Sequence, residues 1–239
     1  MNPWVSHLVE LRLRLLIAVA AVFIGAVGVY CIKEQALWVL LYPLEQAAPE
    51  KGLIFTGVPD VFFIYIKIAI YGGIGLAFPV LCWQIWGFVA PGLYGREKSV
   101  TWPYVLLTPV LFYTGVLFSY SVVMPLAIQF FFSFESSSIQ ALPALKEYFN
   151  FTLKMLLAFG ISFTFPVAVL LLVQLGWVSV QTLTHARRFV LVGVFIAAAV
   201  LTPPDPMSQF ILAMPLYVLF EGALFLARWF GKDTTKQPV

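Results

Sequence analysis

Two carboxylates, Glu10 and Glu97, stand out because each lies among basic residues beside an apolar segment. Two carboxylates that converge can bind guanidinium groups through charge-assisted hydrogen bonds, and the nearby ring of Phe88 could contact an apolar segment that follows such groups. The same spacing allows a simpler interpretation. Glu10 can pair with Arg14 one helical turn away, and Glu97 can pair with its own basic neighbours. Spacing alone favours these local ion pairs, and nothing in it proves that the two carboxylates converge.

Glu221 and Lys67 are charged residues inside apolar runs. A charge within a membrane span is costly, so such a residue is functional, paired, or close enough to an end to reach water. Glu221 could reach water or Arg228, and Lys67 could extend out of its run or pair with Asp60 or another helix. Both interpretations of Glu221 remain open.

Asp205 and Gln209 flank the start of the last apolar run. Asp205 lies between prolines, where an aspartate is typical of a solvated turn or a helix cap. Gln209 can cap a helix or cross-link two helices. Composition gives neither residue a specific role.

No residues have the spacing of a catalytic or metal centre. The two histidines, His7 and His185, fit no triad or metal-ligand pattern, and Cys31 and Cys82 lack metal-ligand spacing. The sequence also contains no phosphate-binding loop. It therefore predicts neither enzyme activity nor a metal or other cofactor.

The elements that hold these residues must be membrane helices. Of 239 residues, 62% are hydrophobic and 10% are charged, which is far less charge than a soluble surface needs. Apolar runs of membrane length extend from end to end and leave no room for a separate soluble domain. The net charge of +3 is no sign of nucleic-acid binding, because the basic residues lie at the ends of the apolar runs. The sequence predicts a single all-α, polytopic domain in the lipid bilayer.

Six apolar segments are the predicted spans. They cover about residues 15–32, 61–83, 104–124, 151–177, 189–201 and 209–227. The fifth reaches roughly 20 Å at 1.5 Å per residue, against a hydrocarbon core of about 30 Å, and the sixth is only slightly longer. We therefore expect helices five and six to be short and to thin the bilayer locally.

Three connecting segments carry further expectations. Residues 33–52 combine aromatic residues with prolines and predict an ordered interfacial loop. Residues 84–98 carry the rings of Trp86 and Tyr94 and are interrupted by Pro91, Gly92 and Gly95, which predicts a membrane-surface element that breaks any helix. Pro125 is expected to lead from the third span into a loop. The 84–98 element and the first dozen residues together form the predicted site of action.

Basic residues predict the orientation of the chain. An even number of spans puts both termini on one side, and positive charge marks that side as cytoplasmic. The residues predicted there are Arg12, Arg14, Arg96, Lys98, Arg187, Arg188, Arg228, Lys232 and Lys236. The opposite loops hold three lysines, outnumbered by seven acidic residues. Both termini are therefore expected in the cytoplasm.

Three segments of the chain resemble the TatC family, the core membrane component of the twin-arginine protein translocase. They are His7–Leu15, Gln84–Lys98, and Leu201–Pro206 followed by Gln209. The resemblance covers nearly the whole chain. It implies a protein of the cytoplasmic (inner) membrane that moves folded proteins without a permanent pore, using the proton-motive force. It also implies TatA-type and TatB-type single-span partners and several copies of the chain in one receptor complex.

The resemblance assigns roles on the cytoplasmic side. Glu10 and Glu97 correspond to the acidic residues that receive the two arginines of a signal peptide, which favours the cation-site interpretation of both. Phe88 and Arg12 match positions needed for signal recognition or for assembly of the site.

The resemblance also assigns residues linked to transport or partner contact. Pro43 matches a functional position in the first outer loop, while Asp205 and Gln209 match positions in the last outer loop and span six. Glu221 is also similar to a family position. Thr164 departs from the pattern, because many relatives carry a carboxylate or an amide there.

Two other function classes make different predictions. A small-solute secondary transporter would use Glu221 or Lys67 as a coupling residue and would show inverted repeats, which the sequence lacks. An intramembrane hydrolase would carry paired catalytic residues within its spans, and no span contains a histidine. The translocase interpretation is favoured over both.

Overall fold

The computed structural model describes residues 3–49, 52–54, 57–89, 95–134, 142–174, 177–201 and 206–230. Within these ranges the chain is helical, with one isolated bridge between Ile54 and Ala144 in the connecting segments. The helices are α1 (Pro3–Cys31), α2 (Lys33–Ala47), α3 (Asp60–Val89), α4 (Gly95–Phe118), α5 (Met124–Phe132), α6 (Leu145–Gln174), α7 (Val180–His185), α8 (Arg187–Leu201) and α9 (Pro206–Phe230). A π-helical turn, Ser119–Val123, joins α4 to α5.

Five helical segments of the described chain are long and apolar enough to cross a membrane. They are His7–Cys31, Asp60–Phe88, Pro103–Phe132, Leu145–Val173 and Gln209–Trp229. The predicted fifth span corresponds to α8, whose 15 residues rise about 22 Å. The prediction of an all-α, polytopic membrane protein is confirmed. Helix α9 extends beyond the predicted sixth segment at both ends, and Pro206 is its first residue, a position where proline costs no hydrogen bond. Its 25 residues are long enough to cross a membrane, so the prediction of a short sixth helix was wrong, while the fifth is short as predicted.

The connecting segments are more helical than we expected. Residues 33–47 form helix α2 with Pro43 inside it, so the prediction of a loop there was wrong. Helix α3 continues to Val89, and α4 begins at Gly95, so the helices take in most of the predicted surface element. Ala90 to Tyr94 lie outside the described residues.

Pro125 also does not end its helix, contrary to the prediction. It is the second residue of α5, and α5 begins directly after the π-helical turn Ser119–Val123. Within an α-helix, a proline ring clashes with the carbonyl group four residues earlier, here Ser121. A π-helical turn widens the backbone at that carbonyl, so the helix continues through the proline.

The chain divides into two compact units, the first formed by Met1–Pro109 and Phe131–Leu153. In this unit α1 packs along α3, and two glycines bring the backbones close together. A Cβ atom added to Gly25 would lie 2.9 Å from the Gly73 carbonyl oxygen, and one added to Gly73 would lie 2.7 Å from Ala26 Cα. Small residues at a membrane helix interface allow this close approach.

The second unit comprises Val110–Phe130 and Lys154–Val239. Here glycines again make room for a neighbouring helix, because a Cβ atom at Gly115 would lie 2.8 Å from Phe163 Cβ. Helix α8 packs against α9, whose Phe220 is 1% exposed and contacts Phe165 of α6. Polar side chains link this hairpin, as described below.

Candidate functional site

The first four turns of α1 meet the last turn of α3 in the first unit. His7, Glu10 and Arg14 recur at helical spacing and therefore share one face of α1. The His7 imidazole stacks on the Phe88 ring with centroids 4.3 Å apart and planes 18° from parallel. This stacked pair fixes the amino-terminal end of α1 beside the carboxyl-terminal end of α3.

Glu10 binds a guanidinium group within its own helix. Arg14 donates to Glu10 Oε1 from Nε at 2.9 Å and from Nη2 at 2.7 Å. The Glu10 side chain is 32% exposed and that of Arg14 is 24% exposed, so the contact is partly shielded from water. The local ion pair that spacing favoured is therefore present.

Gly87 makes room for the Arg14 guanidinium on α3. A Cβ atom at this position would lie 2.8 Å from Arg14 Cζ and closer still to Nη1. The last turn of α3, which ends at Val89, has the partial negative charge of a helix carboxyl terminus. A cation is stabilised at such an end, so Gly87 both admits the guanidinium and presents it with a favourable field.

The second oxygen of Glu10 faces the stacked rings. Its Oε2 atom lies 3.9 Å from His7 Nδ1, which is too long for a hydrogen bond. Among the described residues, no hydrogen bond to Oε2 is formed. The site therefore consists of a carboxylate with one oxygen bound to Arg14 and one oxygen near the His7 ring, which stacks on Phe88.

The other residues predicted for this site are less defined. Arg12 is exposed on α1. Glu97 belongs to α4, but its side chain lies outside those that the structure describes. The convergence of Glu10 and Glu97 therefore stays a prediction. His7 and Gly87 lie in the two segments predicted to form the site but were given no individual role, and Arg14 was considered only as a local partner of Glu10. The spacing of His7 and Arg14 from Glu10 on one helix was a usable signal.

Pro43 is buried within α2. Proline lacks a backbone donor and weakens the helix around it. The Tyr148 hydroxyl at the start of α6 donates to the Leu40 carbonyl oxygen at 2.7 Å, one turn before Pro43. This bond satisfies a backbone acceptor of α2 and ties that helix to α6.

Glu221 is paired with Arg187. Arg187, the first residue of α8, donates from Nη2 to Glu221 Oε2 at 2.7 Å, and the Tyr217 hydroxyl donates to Oε1 at 2.9 Å. Arg228, one of the alternatives left open for Glu221, donates instead to Thr184 Oγ1 at 3.3 Å.

Gln209 cross-links the α8 and α9 hairpin, as one of the two interpretations predicted. Its Nε2 donates to the Phe195 carbonyl oxygen at 2.7 Å. Asp205 lies outside the described residues.

Two further polar residues of the apolar segments are hydrogen-bonded. The Thr164 hydroxyl donates to the Ile161 carbonyl oxygen at 2.6 Å within its own helix. Lys67 donates to Asn150 Oδ1 at 2.6 Å, which joins α3 to α6.

The described part of the chain contains no cluster of three or more histidine, cysteine or acidic side chains that could hold a metal ion. Its polar groups instead form helix-to-helix contacts and the guanidinium site at Glu10.

Comparison with known proteins identifies the family. Residues 6–215 match the family model for the Sec-independent protein translocase protein (TatC). The chain is 42% identical over 236 residues to the TatC protein of Magnetococcus marinus, covering 98% of this chain and 87% of that protein. It is 36% identical over 238 residues to TatC of Escherichia coli strain K12, covering 99% and 92%.

A solved structure agrees with these relatives. The crystal structure of the twin arginine translocase receptor TatC superposes with a TM-score of 0.85 at 34% identity, and the match covers 93% of this chain and 98% of that one. A second crystal structure of that receptor, in the detergent DDM, gives 0.86. The comparisons offer no support for a small-solute transporter. The family is a translocase component and not an enzyme, and this chain belongs to it: it is a member of the TatC family of the Sec-independent protein translocase.

Proposed function

We propose that this chain is the receptor for twin-arginine signal peptides within the translocase. In this role it recognises folded passenger proteins at the cytoplasmic face of the inner membrane. The translocase then moves them across, using the proton-motive force. Membership of the TatC family and likeness to a structure described as the twin arginine translocase receptor support this proposal.

One observation carries the assignment of the site. Glu10 holds a guanidinium group through two nitrogen atoms at 2.9 and 2.7 Å, and its second oxygen lies 3.9 Å from Nδ1 of the His7 ring, which stacks on Phe88. A carboxylate of this kind suits the planar fork of an arginine, and an aromatic face stabilises a cation above it. We assign to Glu10 one arginine of the signal peptide and to Phe88 a contact with that arginine or with the residues after it.

Glu97 is the proposed receptor for the second arginine. Family resemblance supports this role, as it supports a role for Arg12 in assembling the site. The proposal requires both carboxylates on the cytoplasmic side. The excess of basic residues in the amino-terminal segment, the loops after spans two and four, and the carboxyl-terminal tail supports this orientation.

The remaining assigned residues belong to translocation or partner contact. Pro43, Asp205, Gln209 and Glu221 are proposed to act there, with TatA-type and TatB-type single-span proteins as the partners. The 15-residue length of α8 supports a locally thinned bilayer beside the hairpin, where a short partner helix can dock.

Photo-cross-linking tests the proposed receptor site. A photoreactive amino acid is placed at position 13, one helical turn after Glu10, or at position 88, so that both assigned carboxylates stay in place. The full chain in membranes is then exposed to a signal peptide with two arginines or with two lysines. Cross-links at both positions with the arginine peptide, and their loss with the lysine peptide, are the expected result. The control probe replaces Val58, which is 93% exposed and lies in a predicted outer loop. Equal cross-linking of both peptides at position 13 would contradict the assignment.

A further inference from the structure

Three arginines of the second unit lie together where α8 begins and α9 ends. Arg187 is held against α9 by its 2.7 Å ion pair with Glu221. Arg228 lies two helical turns after Glu221 and donates to Thr184 Oγ1 at 3.3 Å. The residue between α7 and α8 has a right-handed helical conformation, so Arg188, four residues after Thr184, lies on the same side of that segment. Two contacts and one helical spacing therefore bring three guanidinium groups to one end of the hairpin.

Most of the positive charge in this cluster is not neutralised within the described part of the chain. Glu221 pairs with Arg187, but no described carboxylate pairs with Arg188 or Arg228, and both of these side chains are exposed. Arg228 contacts only a neutral hydroxyl, and the Arg188 guanidinium lies 5.0 Å from the centre of the Phe189 ring. The Nε atom of Arg187 is buried and has no hydrogen-bond partner among the described residues. The cluster thus offers positive charge and an unused donor to an anion.

Apolar side chains surround the cluster on the side that faces lipid. Phe189 and Trp229 directly follow two of the arginines, and both rings are exposed. Exposed rings at the ends of membrane helices lie at the level of the lipid headgroups, where the phosphate groups also lie. Val192 and Ile196 are exposed one and two turns after Arg188, so they continue the same face of α8 into the hydrocarbon. A phosphate at the arginines and an acyl chain along α8 would therefore be contacted by adjacent surfaces.

We propose that Arg187, Arg188 and Arg228 form a binding site for the headgroup of an anionic phospholipid. A guanidinium binds phosphate oxygens through its planar fork, and clusters of basic residues at a membrane surface favour anionic lipids. A zwitterionic headgroup also has a phosphate, but it brings its own cation close to the arginines. A bound anionic lipid would hold this end of the 15-residue α8 at the headgroup level, although the helix is shorter than the hydrocarbon core.

Lipid binding to the full chain in detergent micelles tests the inference. Fluorescent phosphatidylglycerol is titrated with the wild-type chain, with Arg188→Gln and with Arg228→Gln, and the dissociation constant is the readout. Loss of one guanidinium contact is expected to raise this constant about fivefold, and the double variant should raise it further. Phosphatidylcholine with the same acyl chains should bind the wild type more weakly. Equal affinity of the wild type for the two lipids would overturn the inference.

Arg12→Gln is the matched control for charge. It removes one positive charge from an exposed arginine of α1, in the other compact unit, and should leave the dissociation constant of phosphatidylglycerol nearly unchanged. A loss as large as that of Arg188→Gln would show that total charge attracts the lipid, and would refute a defined site. Arg228→Gln also removes the contact with Thr184. If that variant fails to fold, Arg188→Gln decides the question, because Arg188 is exposed.

Inorganic phosphate distinguishes a lipid site from a site for a soluble phosphate. The two ligands share the chemistry that the arginines recognise, but only the lipid can also contact the rings and the apolar face of α8. Inorganic phosphate at the concentration of the lipid should therefore fail to displace phosphatidylglycerol from the wild-type chain. Displacement would assign the arginines to a soluble phosphate and overturn the lipid assignment.

Discussion

Replacing Gly73 with alanine is expected to force α1 and α3 apart in the middle of their apolar contact. The added Cβ atom would lie 2.7 Å from Ala26 Cα and 2.9 Å from Ala26 Cβ, while ordinary contacts begin at 3.4 Å. Most of the obstructing atoms belong to the backbone, so no side-chain rotation relieves the clash, and the helices must separate by about 1 Å. Overpacking of this kind typically costs about 1–3 kcal/mol.

Gly75 and Gly28 provide matched controls on the same two helices. A Cβ atom at either position meets nothing within 4 Å, so Gly75→Ala and Gly28→Ala introduce the same methyl group without a clash. In a helix interior, alanine is then favoured over glycine by about 0.5–1 kcal/mol. Gly25→Ala is expected to behave like Gly73→Ala, since its Cβ atom would lie 2.9 Å from the Gly73 carbonyl oxygen.

Thermal unfolding of the full chain in detergent micelles measures the difference. Each kcal/mol corresponds to a shift of about 2–4 °C in the midpoint for a chain of this length. Gly73→Ala and Gly25→Ala should unfold at a lower temperature than the wild type, and the two controls at the same or a higher temperature. If Gly73→Ala unfolds together with Gly75→Ala, the two backbones do not approach as closely as the structure shows.

Two further substitutions test the polar contacts between helices. Glu221→Gln leaves Arg187 without its 2.7 Å ion-pair partner and should lower the free energy of unfolding by about 1–3 kcal/mol. The double variant with Arg187→Gln should lose less stability than the sum of the two single variants. Additive losses would contradict the pairing. Tyr148→Phe removes the 2.7 Å hydrogen bond to the Leu40 carbonyl oxygen and should lower the free energy of unfolding by about 1 kcal/mol, measured by thermal unfolding. The control, Tyr30→Phe, keeps the ring that Lys33 contacts and should change stability little. Equal losses in both tyrosine variants would argue against a specific role for the Tyr148 hydroxyl.

The sequence predicted those features that depend on neighbours within one helix or on apolar length. The pairing of Glu10 with Arg14 follows from four-residue spacing alone. The short fifth span follows from counting apolar residues between Arg188 and Thr202, and α8 indeed has 15 residues. These inferences need no knowledge of how helices pack.

Features that depend on how the helices pack could not be predicted from the sequence. Arg187 and Glu221 are 34 residues apart, and their contact depends on the rotation of α8 against α9, which spacing does not determine. The stacking of His7 on Phe88 has the same origin, because it requires the register of α1 on α3. The helical conformation around Pro43 and Pro125 was missed for another reason: a helix can continue through a proline, at Pro125 directly after a π-helical turn, and this leaves no clear local signal.

The glycine contact and the site at Glu10 belong to the same pair of helices, so the first constrains the second. Phe88 lies 15 residues after Gly73 on α3, a rise of about 22 Å, and His7 lies 18 residues before Gly25 on α1, a rise of about 27 Å. The separation of about 1 Å that Gly73→Ala forces would weaken the stacking of His7 on Phe88 and move Arg14 away from Gly87. Gly73→Ala should therefore also reduce cross-linking of the arginine peptide at position 88, although residue 73 lies 15 residues away along α3. Gly75→Ala should leave that cross-linking unaltered. If Gly73→Ala lowers stability but keeps full cross-linking, the geometry at Glu10 is set by contacts at the ends of the helices and not by their close packing in the apolar segment.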